Sequence, residues 1–207
     1  MPTETKATLD LNLTRAGYFL DLHQSVHGGG QGAPRNPVRE LPRAAVVFAI
    51  GGFDSYLSDV SAEVIVKLLQ RDLPEAQVRD MLKRVQSEIP TLPLELSLVP
   101  DHEDRVHRVQ EAVADHFHNR VSNHGKKAAS RTVELLGGKA QNLWSSLNGC
   151  GFANAAEELE EWTIKRHEIV HQGKTVRVHR TQARSCINLI SEIADRIDNQ
   201  ASQTLAQ

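Results

Sequence analysis

Apolar residues recur every three or four positions along most of the chain, the spacing that places them on one side of an α-helix. No series of segments alternates apolar and polar residues as the strands of a half-buried sheet do. The pattern therefore predicts an all-α fold.

The first half of the chain contains three predicted helices. The first covers Leu9 to Val26 and precedes a flexible loop, rich in glycine and proline, at about 27–37. The second is long, and Gly51 and Gly52 within it indicate either the close approach of another helix or a kink. Its apolar stripe consists of Val46, Ile50, Phe53, Leu57, Val60, Val64 and Leu68. The third covers Val78 to Ile89 and ends at Pro90.

Two more helices are predicted in the second half, at 106–121 and 128–136, before a segment whose ends are clearly marked. Asn154 and Glu157 form a capping-box-like start of that segment, and Gly173 is a natural stop. After a short extended link, Thr181 is placed to cap a final helix. The apolar stripe of this last helix consists of Ala183, Cys186, Ile187, Ile190, Ile193, Ala194 and Ile197.

Length and composition restrict the class of protein. A chain of 207 residues with 40% hydrophobic content fits one domain, residues 1–207, with a real core. The longest nearly uninterrupted apolar run, Ala44 to Phe53, is about half of what a membrane span requires. The N-terminus has no apolar signal core, so we expect a cytoplasmic protein that does not contact a membrane. Cys150 and Cys186 provide neither a disulfide framework nor a metal site, and we expect both to be reduced and buried.

Positive charge is concentrated in one segment, although the net charge of the chain is −2. Between positions 165 and 184 there are six Lys or Arg and one acid, Glu168. A polyanion is expected to bind there. The predicted RNA-binding residues are Lys165, Lys174, Arg177 and Arg180.

The same segment contains two overlapping motifs. From His167 to His171 it is H-E-x-x-H, the signature of zinc metalloproteases, in which two histidines one helical turn apart bind zinc and the glutamate acts as a general base. From Arg166 to His171 it is R-x-x-x-x-H, which needs no metal and suits cleavage of RNA. Against zinc, Lys165 and Arg166 would put two positive charges beside the ion, and Gly173 closes the helix directly after the second ligand. A third ligand could be Glu192, although it lies on a helix whose stripe is set by isoleucines.

RNA cleavage accounts for more of these residues. The 2′-hydroxyl of RNA is the nucleophile, so an enzyme has to remove its proton, protonate the leaving 5′-oxygen and stabilise charge on the phosphorus. Histidine titrates near neutrality, and arginine presents paired donors to phosphate oxygens without losing its charge. Arg166 and His171 have the chemistry for these tasks.

Arg166 and His171 do not lie on the same face of an ideal helix. Arg166 lies within about 40° of Ala155, Leu159, Trp162 and Val170, at the centre of the apolar stripe. Such a guanidinium must pair with an acid, for example Asp54 or Asp59, or face a cleft that receives an anion. His171 lies about 140° around the helix from Arg166, and alone it could simply interact with helix-terminal carbonyls. A long arginine side chain, fraying before Gly173 or a second subunit could bring the two groups to one phosphate.

The residues from Arg166 to Gly173 resemble the R-x(4–6)-H signature of the HEPN superfamily (higher eukaryotes and prokaryotes nucleotide-binding domain). Glu161 and Lys165 give an E-x-x-x-K-R lead-in like that of some members, and the segment Phe53 to Leu57 resembles their early core helix. The resemblance implies an up-and-down helical bundle, commonly a homodimer whose arginines and histidines line one interfacial cleft. It also implies metal-independent endoribonuclease activity without a cofactor, often in toxin–antitoxin or antiviral systems with an antitoxin or sensor protein as partner.

Carried over by position, the resemblance assigns a role to three residues. Arg166 would bind the scissile phosphate, His171 would act as acid or base, and His167 would be the polar helper that follows the arginine. Many members have asparagine at the helper position, so it stays open whether His167 is catalytic or gives only polar support. Some members have lost the motif and only bind nucleotide, RNA or a partner protein, which is the alternative function for this chain.

Overall fold

A computed structural model describes residues 3–27, 37–69, 75–91, 107–108, 111–113, 115–116 and 125–206. None of these residues lies in a β-strand, and the predicted all-α fold is confirmed as a helical bundle. A 3₁₀ turn covers Val38–Glu40. The α-helices are α1 (Glu4–His27), α2 (Leu41–Leu69), α3 (Glu75–Glu88), α4 (Gly125–Leu135), α5 (Ala140–Asn148), α6 (Ala155–His171) and α7 (Arg180–Ala206). The predicted flexible loop at 27–37 falls almost wholly outside the described residues.

Helix α1 begins earlier than the apolar pattern predicts, at Glu4 instead of Leu9. The reason is a cap: the Thr3 hydroxyl accepts a hydrogen bond from the backbone N–H of Lys6 at 3.1 Å. The backbone N–H and the hydroxyl of Thr3 both donate to the buried carboxylate of Asp198 in α7, at 3.0 and 2.6 Å. The start of α1 is thus positioned by a residue 195 places along the chain.

Helices α1 and α2 run antiparallel and approach each other closely. Thr5 bonds to Glu63 at the beginning of α1, and the ring of Phe19 packs edge-on against Phe48 near its end, with centroids 6.1 Å apart. At Gly52 an added Cβ would lie 3.2 Å from the Cβ of Asn12. Of the two interpretations of the glycine pair, close helix approach therefore holds at Gly52, inside a continuous α2.

Helix α7 crosses the same core. Its carboxyl-terminal half meets the start of α1 at Asp198, and Arg184 near its beginning pairs with Asp21 near the end of α1 at 3.2 Å. Helices α1 and α7 are therefore antiparallel, and α2 and α7 are parallel. Consequently, the end of α1 and the starts of α2 and α7 meet at one end of the bundle. The predicted stripe of α7 is confirmed, since all seven of its members are buried.

The middle of the chain agrees with the prediction in part. Helix α3 ends at Glu88, before Pro90, as predicted, and α4 corresponds to the predicted helix at 128–136. The predicted helix at 106–121 lies mostly outside the described residues. Helix α5 was not expected from the apolar pattern: it is short, and Trp144 within it is fixed by a hydrogen bond to Ser130 of α4 at 3.0 Å.

One predicted helix cap is at the correct position but lacks its side-chain bond, and the other is wrong. Asn154 precedes α6, but its side chain makes no capping hydrogen bond; only its carbonyl accepts, from the N–H of Glu158. Helix α7 begins before Thr181, and its first turn is closed by Gln182, whose side chain accepts from the N–H of His179 at 2.9 Å. The predicted stop at Gly173 is correct, because Gly173 has a φ of +59° directly after α6.

The two cysteines differ in their exposure to solvent. Both are free, and Cys186 is buried as predicted, where burial strongly raises the pKa of its thiol. Cys150 is exposed, which corrects the prediction that it is buried; its sulfur accepts a hydrogen bond from Arg196 at 3.0 Å. Within the described residues, no helix combines the length and apolar character needed to cross a bilayer.

Candidate functional site

Helix α6 packs on the core through one face, and Arg166 continues that face beyond its buried part. Ala155, Leu159 and Trp162 are buried, whereas Arg166 is half-buried. The buried Nε of Arg166 has no hydrogen-bond partner. In the part of the chain that the structure describes, Arg166 forms no ion pair with Asp54 or Asp59, the two acids suggested as its partners. Among the described residues, the Nε of Arg166 is therefore a buried donor without a partner.

His167 and His171 are brought together on the outer side of α6. Their ring centroids are 4.8 Å apart with planes tilted by 43°, and both side chains are exposed. Ile164, seven residues before His171 and therefore on nearly the same helical face, has 53% of its surface exposed. The two imidazoles thus form a solvent-accessible pair beside an exposed apolar residue.

Arg166 and His171 are not brought together within one chain. Helix α6 is regular through His171, so the fraying considered above does not occur, and the separation of about 140° around the axis and about 7.5 Å along it holds. Arg166 points towards the packed side of α6 and His171 towards solvent. Within a single subunit the structure therefore does not assemble the two groups around one phosphate.

The glutamate of the H-E-x-x-H motif is engaged by a neighbour. The carboxylate of Glu168 pairs with the ammonium of Lys174 at 2.8 Å, and the backbone N–H of Lys174 donates to the carbonyl of Glu168 at 3.1 Å. The suggested third zinc ligand, Glu192, pairs with Arg196 at 3.4 Å. Among the described residues, no group of three or more His, Cys, Asp or Glu is arranged to hold a metal ion. Both Glu168 and Glu192 are therefore engaged in ion pairs within the chain.

Lys165, predicted to bind RNA, lies against the side of α6. Its ammonium is 4.3 Å from the centroid of the Trp162 ring and 3.7 Å from the carboxylate of Glu161. Trp162 is buried, as predicted for a core residue. Lys165 and Lys174 therefore each have an intrachain partner, and a phosphate would compete with Glu161 or Glu168 for them.

Arg177 and Arg180, the other two predicted RNA-binding residues, line a cleft at the end of the bundle where α1 ends and α2 and α7 begin. The rest of its cationic lining comes from residues that the sequence analysis did not select: His23, His27, Arg39, Arg43 and His179. The sequence contains only a weak indication of these residues: His23 and His27 are four residues apart, and so are Arg39 and Arg43, which is the spacing of neighbours on a helix. Nothing local connects these pairs with each other or with residues 177–180.

Comparison of the chain with known protein families, with curated proteins and with solved structures finds no match. The arrangement of side chains at the end of α6 is therefore the basis for a functional proposal.

Proposed function

We propose that this protein is a metal-independent endoribonuclease of the HEPN type, active as a homodimer in which Arg166 and His171 of both subunits line one cleft. The observation that supports the proposal most directly is the half-buried Arg166, whose buried Nε has no partner in the protein. A guanidinium in that position is stabilised by an anion, and its planar donors fit the non-bridging oxygens of a phosphodiester.

A second subunit removes the geometric difficulty. Within one chain, Arg166 and His171 lie on different sides of α6, whereas a two-fold axis near the end of that helix can place His171 of one copy opposite Arg166 of the other. Such an interface would bury the exposed Ile164. The composite site would contain two arginines and two pairs of histidines.

The reaction follows from these groups. One histidine accepts the proton of the 2′-hydroxyl as O2′ forms a bond to phosphorus, and a second donates a proton to O5′ as the P–O5′ bond breaks. Arg166 stabilises the negative charge that grows on the phosphoryl oxygens. The products are a 2′,3′-cyclic phosphate and a 5′-hydroxyl end, so no metal-activated water is needed. By resemblance, the biological role is that of a toxin or an antiviral defence effector restrained by a partner protein.

The test is incubation of the purified protein with total RNA in EDTA, alongside Arg166→Ala, Arg166→Lys and Arg15→Gln. Arg15 is exposed on α1 and controls for a general loss of positive charge. We expect cleavage by the wild type and by Arg15→Gln, and a loss of about 10²–10³ in rate for Arg166→Ala. Arg166→Lys retains the charge but loses the planar fork, and we expect only partial activity.

Folding is checked by circular dichroism, because Arg166 adjoins the packed face of α6. RNA that stays intact with the folded wild-type protein, while still binding to it, would favour the non-catalytic alternative. Cleavage that EDTA abolishes would return the assignment to the zinc motif.

A further inference from the structure

The cleft that contains Arg177 and Arg180 has the size of a small-molecule site. Its volume is about 580 Å³, within the range of roughly 300–1,000 Å³ that ligand pockets occupy. Its lining is cationic and contains no carboxylate among the described residues: His23, His27, Arg39, Pro42, Arg43, Arg177, Val178, His179, Arg180 and Thr181. Four arginines and three histidines thus surround one compact space.

Arg43 is built into the wall of this cleft and retains a free donor group. It is only 7% exposed, and its Nη1 donates to both carboxylate oxygens of Glu40, at 2.7 and 2.6 Å. Its Nε donates to the backbone carbonyl of Val176, which fixes the guanidinium between α2 and the link that precedes α7. Its Nη2 is buried and has no hydrogen-bond partner. The Arg43 guanidinium is thus a rigidly held part of the cleft wall, with one donor group unused.

His23 also lines the cleft, and one of its ring nitrogens is unused. It is 9% exposed, its Nδ1 is buried without a partner, and its ring stands edge-on to that of His27 with centroids 5.6 Å apart. Burial lowers the pKa of His23, and the positive charges of His27 and Arg180 lower it further. The surroundings therefore oppose an additional proton on this ring unless negative charge is supplied.

Among the described residues, no carboxylate pairs with the remaining arginines of the cleft. Arg39, Arg177 and Arg180 form no ion pair in the described part of the chain, and Glu40 is bound to Arg43. Helices α2 and α7 both start at the cleft, so their positive dipole ends add to the field. A compact anion with two or more negative charges would relieve this repulsion.

We propose that the cleft between the end of α1 and the starts of α2 and α7 binds the phosphate groups of a small polyphosphate ligand, such as pyrophosphate or the phosphate end of a nucleotide. The site is distinct from Arg166 and His171, and the proposal does not depend on RNA cleavage. A small ligand is favoured over the backbone of RNA because the four arginines and three histidines surround one compact space of about 580 Å³, which suits a short phosphate chain better than an extended strand.

The test is isothermal titration calorimetry at constant ionic strength with pyrophosphate, orthophosphate and a single-stranded RNA oligomer that has hydroxyl groups at both ends. We expect pyrophosphate to bind more tightly than orthophosphate, and each of Arg39→Gln and Arg180→Gln to weaken pyrophosphate roughly ten-fold or more. Arg15→Gln removes the same charge outside the cleft and should have no such effect. The RNA oligomer should not compete with pyrophosphate.

A spectroscopic measurement covers the case in which a variant does not fold. In the wild-type protein, pyrophosphate should raise the pKa of His23, followed by nuclear magnetic resonance of its imidazole, while the exposed His107 serves as an internal reference. The proposal is overturned if pyrophosphate does not bind, if Arg15→Gln weakens it as much as Arg39→Gln does, if the RNA oligomer displaces it, or if His23 and His107 shift equally.

Discussion

At the scale of single residues, the two motifs at the end of α6 predict opposite effects of substituting the same side chains. A ribonuclease site needs Arg166 and His171 and is indifferent to Glu168, whereas a zinc site needs His167, Glu168 and His171 and is indifferent to Arg166. Substitution of Glu168 therefore distinguishes the two mechanisms. In the structure, the Glu168 carboxylate pairs with Lys174.

We expect His171→Ala to lower RNA cleavage in EDTA by about 10²–10⁴, because it removes an acid or base from the transition state. Glu168→Ala should leave the rate nearly unchanged, since in the ribonuclease mechanism this carboxylate only holds Lys174. His167→Ala decides whether the neighbouring imidazole, 4.8 Å away, is catalytic or supportive. Single-turnover rates on a defined oligomer provide the measurement. A rate that collapses for Glu168→Ala in a folded protein would contradict the Arg-His mechanism.

Glu63 is a residue with a measurable role in stability. Its carboxylate accepts hydrogen bonds from the N–H groups of Glu4 and Thr5, from the Thr5 hydroxyl and from Lys67. Burial acts to raise the pKa of Glu63, but the hydrogen bonds outweigh it and lower the pKa below the usual 4.5. The charged form is therefore favoured in the folded state, and it anchors the first turn of α1 to α2.

The sign of the pH dependence follows from that shift. Above pH 4.5 the full contribution of Glu63 is present, and it is lost as the pH falls from 4.5 through the lower folded-state pKa. Relative to Glu63→Gln, we expect the wild type to be more stable by about 2 kcal/mol at pH 7. Urea denaturation of both proteins from pH 7 to pH 3 measures the difference, which should shrink below pH 4.5. A difference that does not change with pH would refute this role.

At the scale of helices, two glycines with equal space around them are expected to respond in opposite ways to alanine. An added Cβ would meet nothing within 4 Å at either Gly51 or Gly173. Gly51 is helical within α2, whereas Gly173 ends α6 with a φ of +59°. Backbone conformation is therefore the variable that separates them.

We expect Gly173→Ala to destabilise the protein by about 1–2 kcal/mol, because alanine is strained in the left-handed region. Gly51→Ala should stabilise it by about 0.5–1 kcal/mol, since alanine loses less conformational freedom on entering a helix. Thermal unfolding of the two variants and the wild type decides this. Equal effects of the two substitutions would show that α6 does not end in the described way.

At the scale of the whole molecule, the separation of Arg166 and His171 on one helix leads to the predicted homodimer. Sedimentation at micromolar concentration should show a dimer. We expect Ile164→Glu to dissociate it, because this exposed residue shares the outer face of α6 with His171. Leu11→Glu, at a similarly exposed position on α1, is the matched control. Dissociation by Leu11→Glu alone would place the interface elsewhere and remove the basis for a composite site.

Complementation tests the composite site directly. Arg166→Ala and His171→Ala should each be inactive, but a mixture of the two should recover part of the cleavage activity if an arginine of one subunit works with a histidine of the other. Mixed dimers then contain one intact site assembled across the interface. A mixture as inactive as its parents, with subunit exchange verified by labelled chains, would indicate that the two groups do not act across the interface.

Local sequence patterns were sufficient to predict most of the helices that the structure describes. The stripe of α7 and the end of α6 at Gly173 were predicted correctly, because an amphipathic period of 3.6 residues and a left-handed glycine are properties of neighbouring residues. The half-buried position of Arg166 was predictable for the same reason, since a regular helix fixes which side a residue occupies. Short α5 was not predicted: it has only nine residues, and its tryptophan is held from α4.

The sequence by itself therefore determined the helical class, the main apolar stripes and the chemistry available at the end of α6, since each depends on residues within a few turns of one another. Tertiary structure decided where α1 begins, through the contact of Thr3 with Asp198. It alone brought residues 23–43 and 177–181 around one cationic cleft. These features depend on which distant segments meet, and that choice is made by the packing of three long helices around a shared core, which no local pattern contains.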